Sequence, residues 1–533
     1  MSKKTYFVGI DLGTTFSAAF VFDEVRQEAK VLTFLNGDNS MASVVNYKRR
    51  AVGAQSLDVI CEVKRLIGCQ YSDPAVLEET LPYLPYEVEK DEKSGLCRIK
   101  IDYDDGRPTI YRSPEQVSAV ILYKIKVEIQ RSFGFKEGTD EMRVVVTCPA
   151  YFKDLQKELT SEAARQAGLD VIKVLQEPSA AAYCYGLEKL EDGLFFTFDF
   201  GGGTLDTTVM KKAGTNITFV WNGGDQHLGG LDVDKELVKL IENRIKEINP
   251  GLLNRLFKKS GNEGSSRRMI KQRREFNLKK ILENVKVSLS QLPMVDVDLS
   301  DISEEAGTLG LVLSREDLET ACEKLFERCM GVVKKTLKES NISAKSIKKV
   351  ILVGGSSQIP KIREMLGEYF GAEKLLDSID CNLVVAKGAC RYAFDFGKGA
   401  LQITINEVMT RDLYLEGVDE RGKVYKAKIV EKGTALPLKE SSFPAQAINS
   451  EIDIVLFEEE TELGRFTAKT NIHSGDYVMI KVGVDTNGVV KLNVLDKDGK
   501  IDPNSVVANV ERKKVGDIKQ TGKASQEVVE FFS

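Results

Sequence analysis

Two aspartates stand where apolar runs end, each followed by glycine and threonine: residues 7 to 16 read FVGIDLGTTF, and residues 194 to 210 read LFFTFDFGGGTLDTTVM. An unpaired carboxylate is costly at the end of a buried strand. Asp11 and Asp199 therefore need a partner there. Glycine loops let backbone amides approach phosphate oxygens closely, and the hydroxyls of Thr14, Thr15 and Thr204 add donors. Phosphates arrive with Mg2+, an ion that keeps most of its waters and takes one or two carboxylates. The chemistry that suits the pattern is the binding of a nucleotide polyphosphate with its cation.

A third glycine element, KKVILVGGSSQIPKIREMLGEYF (348 to 370), reads strand, Gly-Gly-Ser-Ser, helix, with Pro360 near the helix start, where its missing N–H costs nothing. Alone, DLGTT is by default a strand-to-turn transition, and GGG is weaker still. Two matched Asp-Gly-Thr hairpins and a strand-GGSS-helix in this order are far more specific. They place the two aspartates at similar points of a duplicated core, with all three loops converging on one cleft.

The chain has 533 residues, 42% of them hydrophobic, which implies two or more domains, each with its own core. The first 395 residues alternate apolar runs with helical stretches, as in MRVVVTCPAY (142 to 151) followed by DLQKELTSEAARQAG (154 to 168), the pattern of an α/β architecture. From Asp412 the runs become short and strand-like, and Asn487-Gly488 supplies a hairpin turn, so a β-sandwich is expected. The expected division is 1–396 for the α/β domain and 397–411 for a linker whose apolar stripe (Leu401, Ile403, Ile405) wants a surface. The sandwich follows at 412–510, then a short polar tail at 511–533 with no helical lid.

The net charge of −5 and pI near 5.6 argue against a binder driven by overall charge, and no direct DNA binding is expected. The stretch from Asn254 to Lys280 carries ten Lys/Arg against two Glu and reads as a solvated helical face in preference to an RNA or ribosome contact. No apolar run is long enough to span a membrane, and the N-terminus resembles neither a signal nor a transit peptide. Nine scattered cysteines without a CxxC pair suggest reduced thiols in a cytoplasmic protein.

The three loops, with EVKRLIG (62 to 68), VVVTCPAYF (144 to 152), LQEPSAAAYCYGL (175 to 187) and GGDQHLGGLDVD (223 to 234), closely resemble the ATPase domain of the 70-kilodalton heat-shock chaperones of the DnaK type. KGTALPLK (432 to 439), LGRF (463 to 466) and VDTNGVVKLNVLDKDGK (484 to 500) are similar to their peptide-binding β-sandwich. The resemblance implies an actin-like α/β ATPase domain of two lobes followed by an all-β sandwich, with ATP/ADP and Mg2+ as cofactors. It implies that Asp11 and Asp199 hold the Mg2+ water shell, while Gly13, Thr14, Thr15, Phe16, Gly201, Gly202, Gly203 and Thr204 surround the phosphates. Lys64 would orient the attacking water, with Glu177 and Asp206 supporting the metal shell. Glu283, Lys286 and Ser290 would grip ribose and adenine from one helix face, and Gly354, Gly355 and Ser356 would back the nucleoside. Gly230 and Gln358 complete the implied nucleotide set. Unfolded polypeptide, a J-domain co-chaperone and a nucleotide exchange factor are the implied partners.

The sequence departs from the family in several places. Val287 and Gln358 stand where two arginines usually stack on adenine, and Asn382 stands where an acid is usual. Lys157 replaces an arginine opposite Pro149, and charged residues enter the loop GVDERGKVYK (417 to 426). His227 is read as backbone support and His473 as an exposed loop residue. Two functions stay open: an ATP-hydrolysing chaperone with weak or fast peptide binding, and a nucleotide-binding co-chaperone or regulator acting through a ribosome or another chaperone. Sugar kinases and actin-like filament proteins share the phosphate loops, but neither needs the sandwich.

Overall fold

β1 (Thr5–Leu12) is apolar on both faces and buried on both, as a central strand must be. In this computed structural model it pairs antiparallel with β2 (Phe16–Asp23), which pairs with β3 (Glu28–Val31). On its other side lies the parallel strand β4 (Glu141–Cys148), flanked by β5 (Asp170–Gln176). The structure describes residues 3–532 apart from 55, 57, 104, 187–189, 258–264, 377, 402, 407, 410, 419–423, 435, 447–450, 459–460, 470–476, 485–489, 496–500 and 508–522. His473, Asn487-Gly488 and the centre of the 417–426 loop thus lie outside the described residues.

A second sheet repeats the first in order and direction. β6 (Gly193–Phe200) pairs antiparallel with β7 (Leu205–Ala213), and β7 with β8 (Asn216–Asp225). β6 also lies parallel to β9 (Ile347–Val353), itself parallel to β10 (Leu375–Leu376). The orders β5-β4-β1-β2-β3 and β10-β9-β6-β7-β8 are therefore equivalent, and each Asp-Gly-Thr stretch forms the turn after the first strand of its lobe.

Helices cover the sheets. In lobe I these are α1 (Pro114–Phe133), α2 (Asp154–Gln166) and α3 (Glu177–Cys184), and in lobe II α4 (Gly230–Ile248) and α5 (Ser265–Gln291). Side chains over most of the basic stretch in α5 lie outside the described residues. α6 (Val384–Gly397) packs against both α3 and β1, where backbones approach so closely that only glycine fits. A Cβ at Gly9 would lie 2.0 Å from Cys390 N, and one at Gly388 would lie 1.8 Å from Ala180 O. No helix among the described residues is long and apolar enough to cross a membrane.

The linker stripe does find a surface. β11 (Thr404–Asn406) adds a parallel strand to β8, and Leu401, Ile403 and Ile405 pack with Phe219, Met210 and Val353 in the core shared by the two lobes. α6 runs through Gly397, so the helix extends one residue into the span read as linker.

The sandwich comprises two antiparallel sheets. One contains β12 (Leu413–Val418), β13 (Val424–Val430), β15 (Glu451–Glu458) and β16 (Thr461–Lys469). The other contains β14 (Leu438–Gln446), β17 (Tyr477–Val484), β18 (Val490–Leu495) and β19 (Ile501–Val507). Val478, Ile480, Val482 and Val484 face inward at the period of two that a half-buried strand requires, against Leu413, Leu456 and Leu492.

The tail departs from its expected polar character. It ends in α7 (Gln526–Phe532), whose Val528 and Phe531 enter the core of lobe I. Seven residues are too few for a helical period to stand out in a sequence.

The glycine contacts make a stability test. Gly388→Val should destabilise the chain by about 3 kcal/mol, the upper range for overpacking. Gly331→Ala, in an exposed helix position where a Cβ would meet nothing within 4 Å, should stabilise it by about 0.5–1 kcal/mol. Urea unfolding midpoints of the two variants check both signs.

Candidate functional site

The two hairpin turns and the Gly-Gly-Ser-Ser turn meet in one cleft between the lobes, a cavity of about 1050 Å3. Asp11, Gly13, Thr14, Thr15, Phe16, Lys64 and Glu177 line it from lobe I. Asp199, Gly201, Gly202, Gly203, Thr204, Glu283, Lys286, Ser290, Gly354, Gly355 and Ser356 line it from lobe II. Asp206, Gly230 and Gln358 are not among the residues that line it.

The glycine loops are packed so that only backbone fits. A Cβ at Gly202 would lie 2.1 Å from Thr15 Oγ1, and one at Gly203 would lie 2.3 Å from Arg65 Nη2. Gly201 N–H donates to Thr204 O at 3.0 Å, and Ser356 Oγ donates to Gly201 O at 3.0 Å, which ties two of the loops together. Thr15 Oγ1, against Gly202 in the cleft wall, is buried without a hydrogen-bond partner. Such an orphan is expensive unless a ligand satisfies it. The loops and this hydroxyl fit an anionic group.

The floor is overcharged. Lys64 Nζ and Glu177 Oε1 pair at 2.6 Å with both side chains buried. Asp11 accepts from Thr147 Oγ1 at 3.0 Å, and Asp206 from Thr204 Oγ1 at 3.1 Å. Burial, with Glu177 next, lifts the pKa of Asp11 to about 6. The same two causes hold Asp199 and Asp206 well above the usual carboxylate range. Burial opposes the charge on Lys64, yet Glu177 and Asp11 outweigh it and raise the lysine's pKa. One ammonium thus faces four carboxylates. Among the described residues no group of three or more His, Cys, Asp and Glu side chains is arranged to hold a bare metal ion. A divalent cation that keeps its waters suits this spacing.

The far end of the cleft is different. Lys286, on α5, donates to Asp234 Oδ1 at 2.7 Å and to Gly230 O at 3.1 Å, so its charge is already engaged. Ser290 Oγ donates back to Lys286 O. Val287 lines the cleft with half its surface exposed, and Asn382 Oδ1 lies 2.7 Å from where a Cβ on Gly355 would sit.

Contacts across the cleft mouth were not foreseen from the sequence. Arg65 Nη2 donates to Gly203 O at 2.8 Å and Nη1 to Gln226 O at 2.6 Å, while Nε pairs with Glu62 at 3.0 Å. His227 Nε2 meets Glu79 at 3.0 Å, so the histidine read as backbone support instead joins the two lobes. Lys235 lies 4.5 Å from the Tyr83 ring. Arg65 was visible beside Lys64 in EVKRLIG, but no spacing rule says that its fork reaches two carbonyls of the other lobe.

A family model described as Hsp70 protein matches residues 7–530. The chain belongs to the Hsp70 family. Among curated relatives, the heat shock cognate HSP70 protein of Trypanosoma brucei brucei is 30% identical over 536 residues, covering 95% of this chain and 75% of the relative. Hsp70 proteins are chaperones with an ATP-binding, actin-like ATPase domain and a β substrate-binding domain. The mixed sheets and the small antiparallel sheets of this chain agree with that plan.

The charge on the Hsp70 cleft floor gives a pH-dependent prediction. Asp11 titrates near 3.8 when unfolded and about 6 when folded, so the native state binds the extra proton and loses stability as pH rises between the two. Asp11→Asn should therefore stabilise the ligand-free chain at pH 7.5 by up to about 3 kcal/mol. The gain should shrink as pH falls through 6 and vanish near 4. Denaturant titrations of both proteins at these three pH values check it.

Proposed function

We propose that this Hsp70 protein binds ATP with Mg2+ in the interlobe cleft, hydrolyses it slowly, and uses the nucleotide to govern an attached peptide-binding sandwich. The observation that carries this reading is the surplus of buried carboxylate beside glycine loops built for phosphate. Asp11 and Asp199 would hold a hydrated Mg2+, which supplies charge neutralisation on the phosphates. Thr14, Thr15, Thr204 and the backbone of Gly13 and Gly201–Gly203 would take phosphate oxygens. Lys64, fixed by Glu177, would orient the attacking water, and Asp206 would brace Thr204. Phosphoryl transfer needs mainly positioning and charge neutralisation, so this set suffices.

Glu283 and Ser290 would meet the nucleoside from α5, with Gly354, Gly355 and Ser356 opposite. Val287 and Gln358 offer no guanidinium to stack on adenine, which favours modest nucleotide affinity. That observation supports the second reading, a regulator or co-chaperone that binds nucleotide and acts through a ribosome or another chaperone. All nine cysteines are free thiols, in keeping with a cytoplasmic setting. Polypeptide substrate, a J-domain protein and an exchange factor are the partners we assign.

Single-turnover hydrolysis separates the two readings. Lys64→Ala should lower the rate about 100-fold with little change in ATP affinity, because it removes positioning rather than binding. Equal rates for both proteins would leave only the regulator. On the peptide side, fluorescence anisotropy with a short apolar peptide should report weak binding and dissociation within seconds, since the 417–426 loop carries charged residues where the family's groove is apolar. A long-lived complex with the ADP-bound protein would contradict this.

A further inference from the structure

Lys64 and Arg65 are neighbours in a single 3-10 turn, Val63–Leu66, yet they serve opposite lobes. Such a turn has three residues per revolution, so consecutive side chains diverge by roughly 120°. Lys64 Nζ donates to Glu177 Oε1 in lobe I at 2.6 Å. Arg65 crosses the mouth, with Nη2 donating to Gly203 O at 2.8 Å and Nη1 to Gln226 O at 2.6 Å. The turn is entered through an unfavourable backbone: Glu62, which caps it, has φ +54°, a left-handed conformation that costs a non-glycine residue free energy. The Glu62 carboxylate pairs with Arg65 Nε at 3.0 Å, and Arg65 N–H donates to Glu62 O at 3.0 Å. Val63 and Leu66 are buried in the lobe I core, and Ile67 O accepts from Gln156 Nε2 at 3.0 Å. A strained cap persists only where its surroundings over-determine it, and such strain gathers at functional positions.

The acceptors in lobe II are stiff as well. Gly203 is pressed by the start of α4: a Cβ at Gly229 would lie 2.5 Å from Gly203 N, and Leu231 N–H donates to Gly202 O at 2.8 Å. Beside Gln226, His227 N–H donates to Asp225 Oδ1 at 3.0 Å, and Asp225 Oδ2 pairs with Arg328 Nη2 at 2.7 Å. The two carbonyls belong to different turns, and the planar fork of a guanidinium holds both at fixed angles, which the rotatable ammonium of a lysine does not. We propose that Arg65 is a positioning residue: by gripping Gly203 and Gln226 it sets Lys64 at a fixed place relative to the Gly201–Gly203 loop, so that lysine and loop meet one ligand together. The contacts stand by themselves, while their consequence for hydrolysis rests on the nucleotide reading above.

Two assays test it, the first without nucleotide. In the ligand-free, full-length protein, brief treatment with acetic anhydride, read by peptide mass spectrometry, should acetylate Lys64 at least about threefold faster in Arg65→Ala than in the intact chain, with Lys126 unchanged. Lys64 is 8% exposed and Lys126, in α1 and outside the cleft lining, is 4% exposed. No rise at Lys64, or an equal rise at both lysines, which marks general loosening, would overturn the positioning role. The second assay is single-turnover hydrolysis at saturating ATP and Mg2+. The rate should fall by about 10- to 100-fold in Arg65→Ala, since a misplacement of about 1 Å is enough. Arg65→Lys, which keeps the charge without the fork, should lie between that variant and the intact chain. A full rate in either variant would overturn the proposal. The double variant Lys64→Ala/Arg65→Ala should be no slower than Lys64→Ala, because an arginine that acts through the lysine has nothing left to position. Losses that multiply would make Arg65 an independent contributor and count against it. If the intact chain hydrolyses no ATP, the nucleotide reading fails, and acetylation of Lys64 decides its placement alone. Should Arg65→Ala fail to fold, Arg65→Lys carries the same comparisons.

Discussion

Four carboxylates around a single ammonium, buried between two lobes, are the constraint to which the rest of the molecule answers. Charges of one sign repel strongly where water is scarce, so Asp11, Asp199, Asp206 and Glu177 push against the closure of the cleft they line. Lys64 offsets only part of this, through its 2.6 Å bond to Glu177. Something stiff has to hold the carboxylates in place. The hairpins pin each aspartate of the two turns to the end of a central strand, and α6 packs backbone to backbone on β1 at Gly9 and on α3 at Gly388. At the open side Arg65 spans the gap by hydrogen bonds to carbonyls, a donor set that adds no negative charge. A hydrated cation would relieve the remaining repulsion. On the proposed reading, capture of that cation and closure of the lobes would then be a single electrostatic event.

The strand β8 gives that event a route outward. One end pairs with Asp206 through Gly224, beside the turn that carries Gln226 and His227. The other end pairs with the linker strand β11 through Asn216 and Thr404. Trp221, midway along β8, carries Lys432 of the sandwich over its ring. A single strand therefore touches cleft, linker and sandwich. Physical continuity is not coupling, which requires an element with two arrangements that both sites bias. The linker strand is short and lies at the sheet edge, where pairing is easiest to lose, which makes it the natural place for a second arrangement.

Much of this was legible in the residues. The period-two alternation of β17 and the twin Asp-Gly-Thr turns are local patterns, and local patterns survive translation into structure because strand geometry enforces them. The apolar stripe of Leu401, Ile403 and Ile405 announced a docking strand, although not the sheet edge it would join. Arg65, Glu79 and His227 were not legible in their contacts across the cleft, since a contact between residues more than 130 positions apart has no signature in spacing. α7 was lost for a different reason. Its seven residues hold four apolar side chains among polar neighbours, and only the presence of Tyr47 and Tyr123, each more than 400 residues away, turns them into a packing face.

The two ends of the cleft impose unequal demands on a nucleotide. At the phosphate end, unpaired Thr15, the glycine loops and the carboxylate surplus all gain when an anion and its cation enter together. At the base end, the charge of Lys286 is committed to Asp234 and Gly230, Val287 presents only aliphatic surface, and Gln358 does not line the cleft. If the cleft takes nucleotide as we propose, binding energy would be concentrated where triphosphate and diphosphate differ, with little left to anchor the base that they share. A site with that distribution would discriminate well between phosphate states while holding either one loosely. Such a balance suits a switch that reads nucleotide state more than an engine that must retain its fuel.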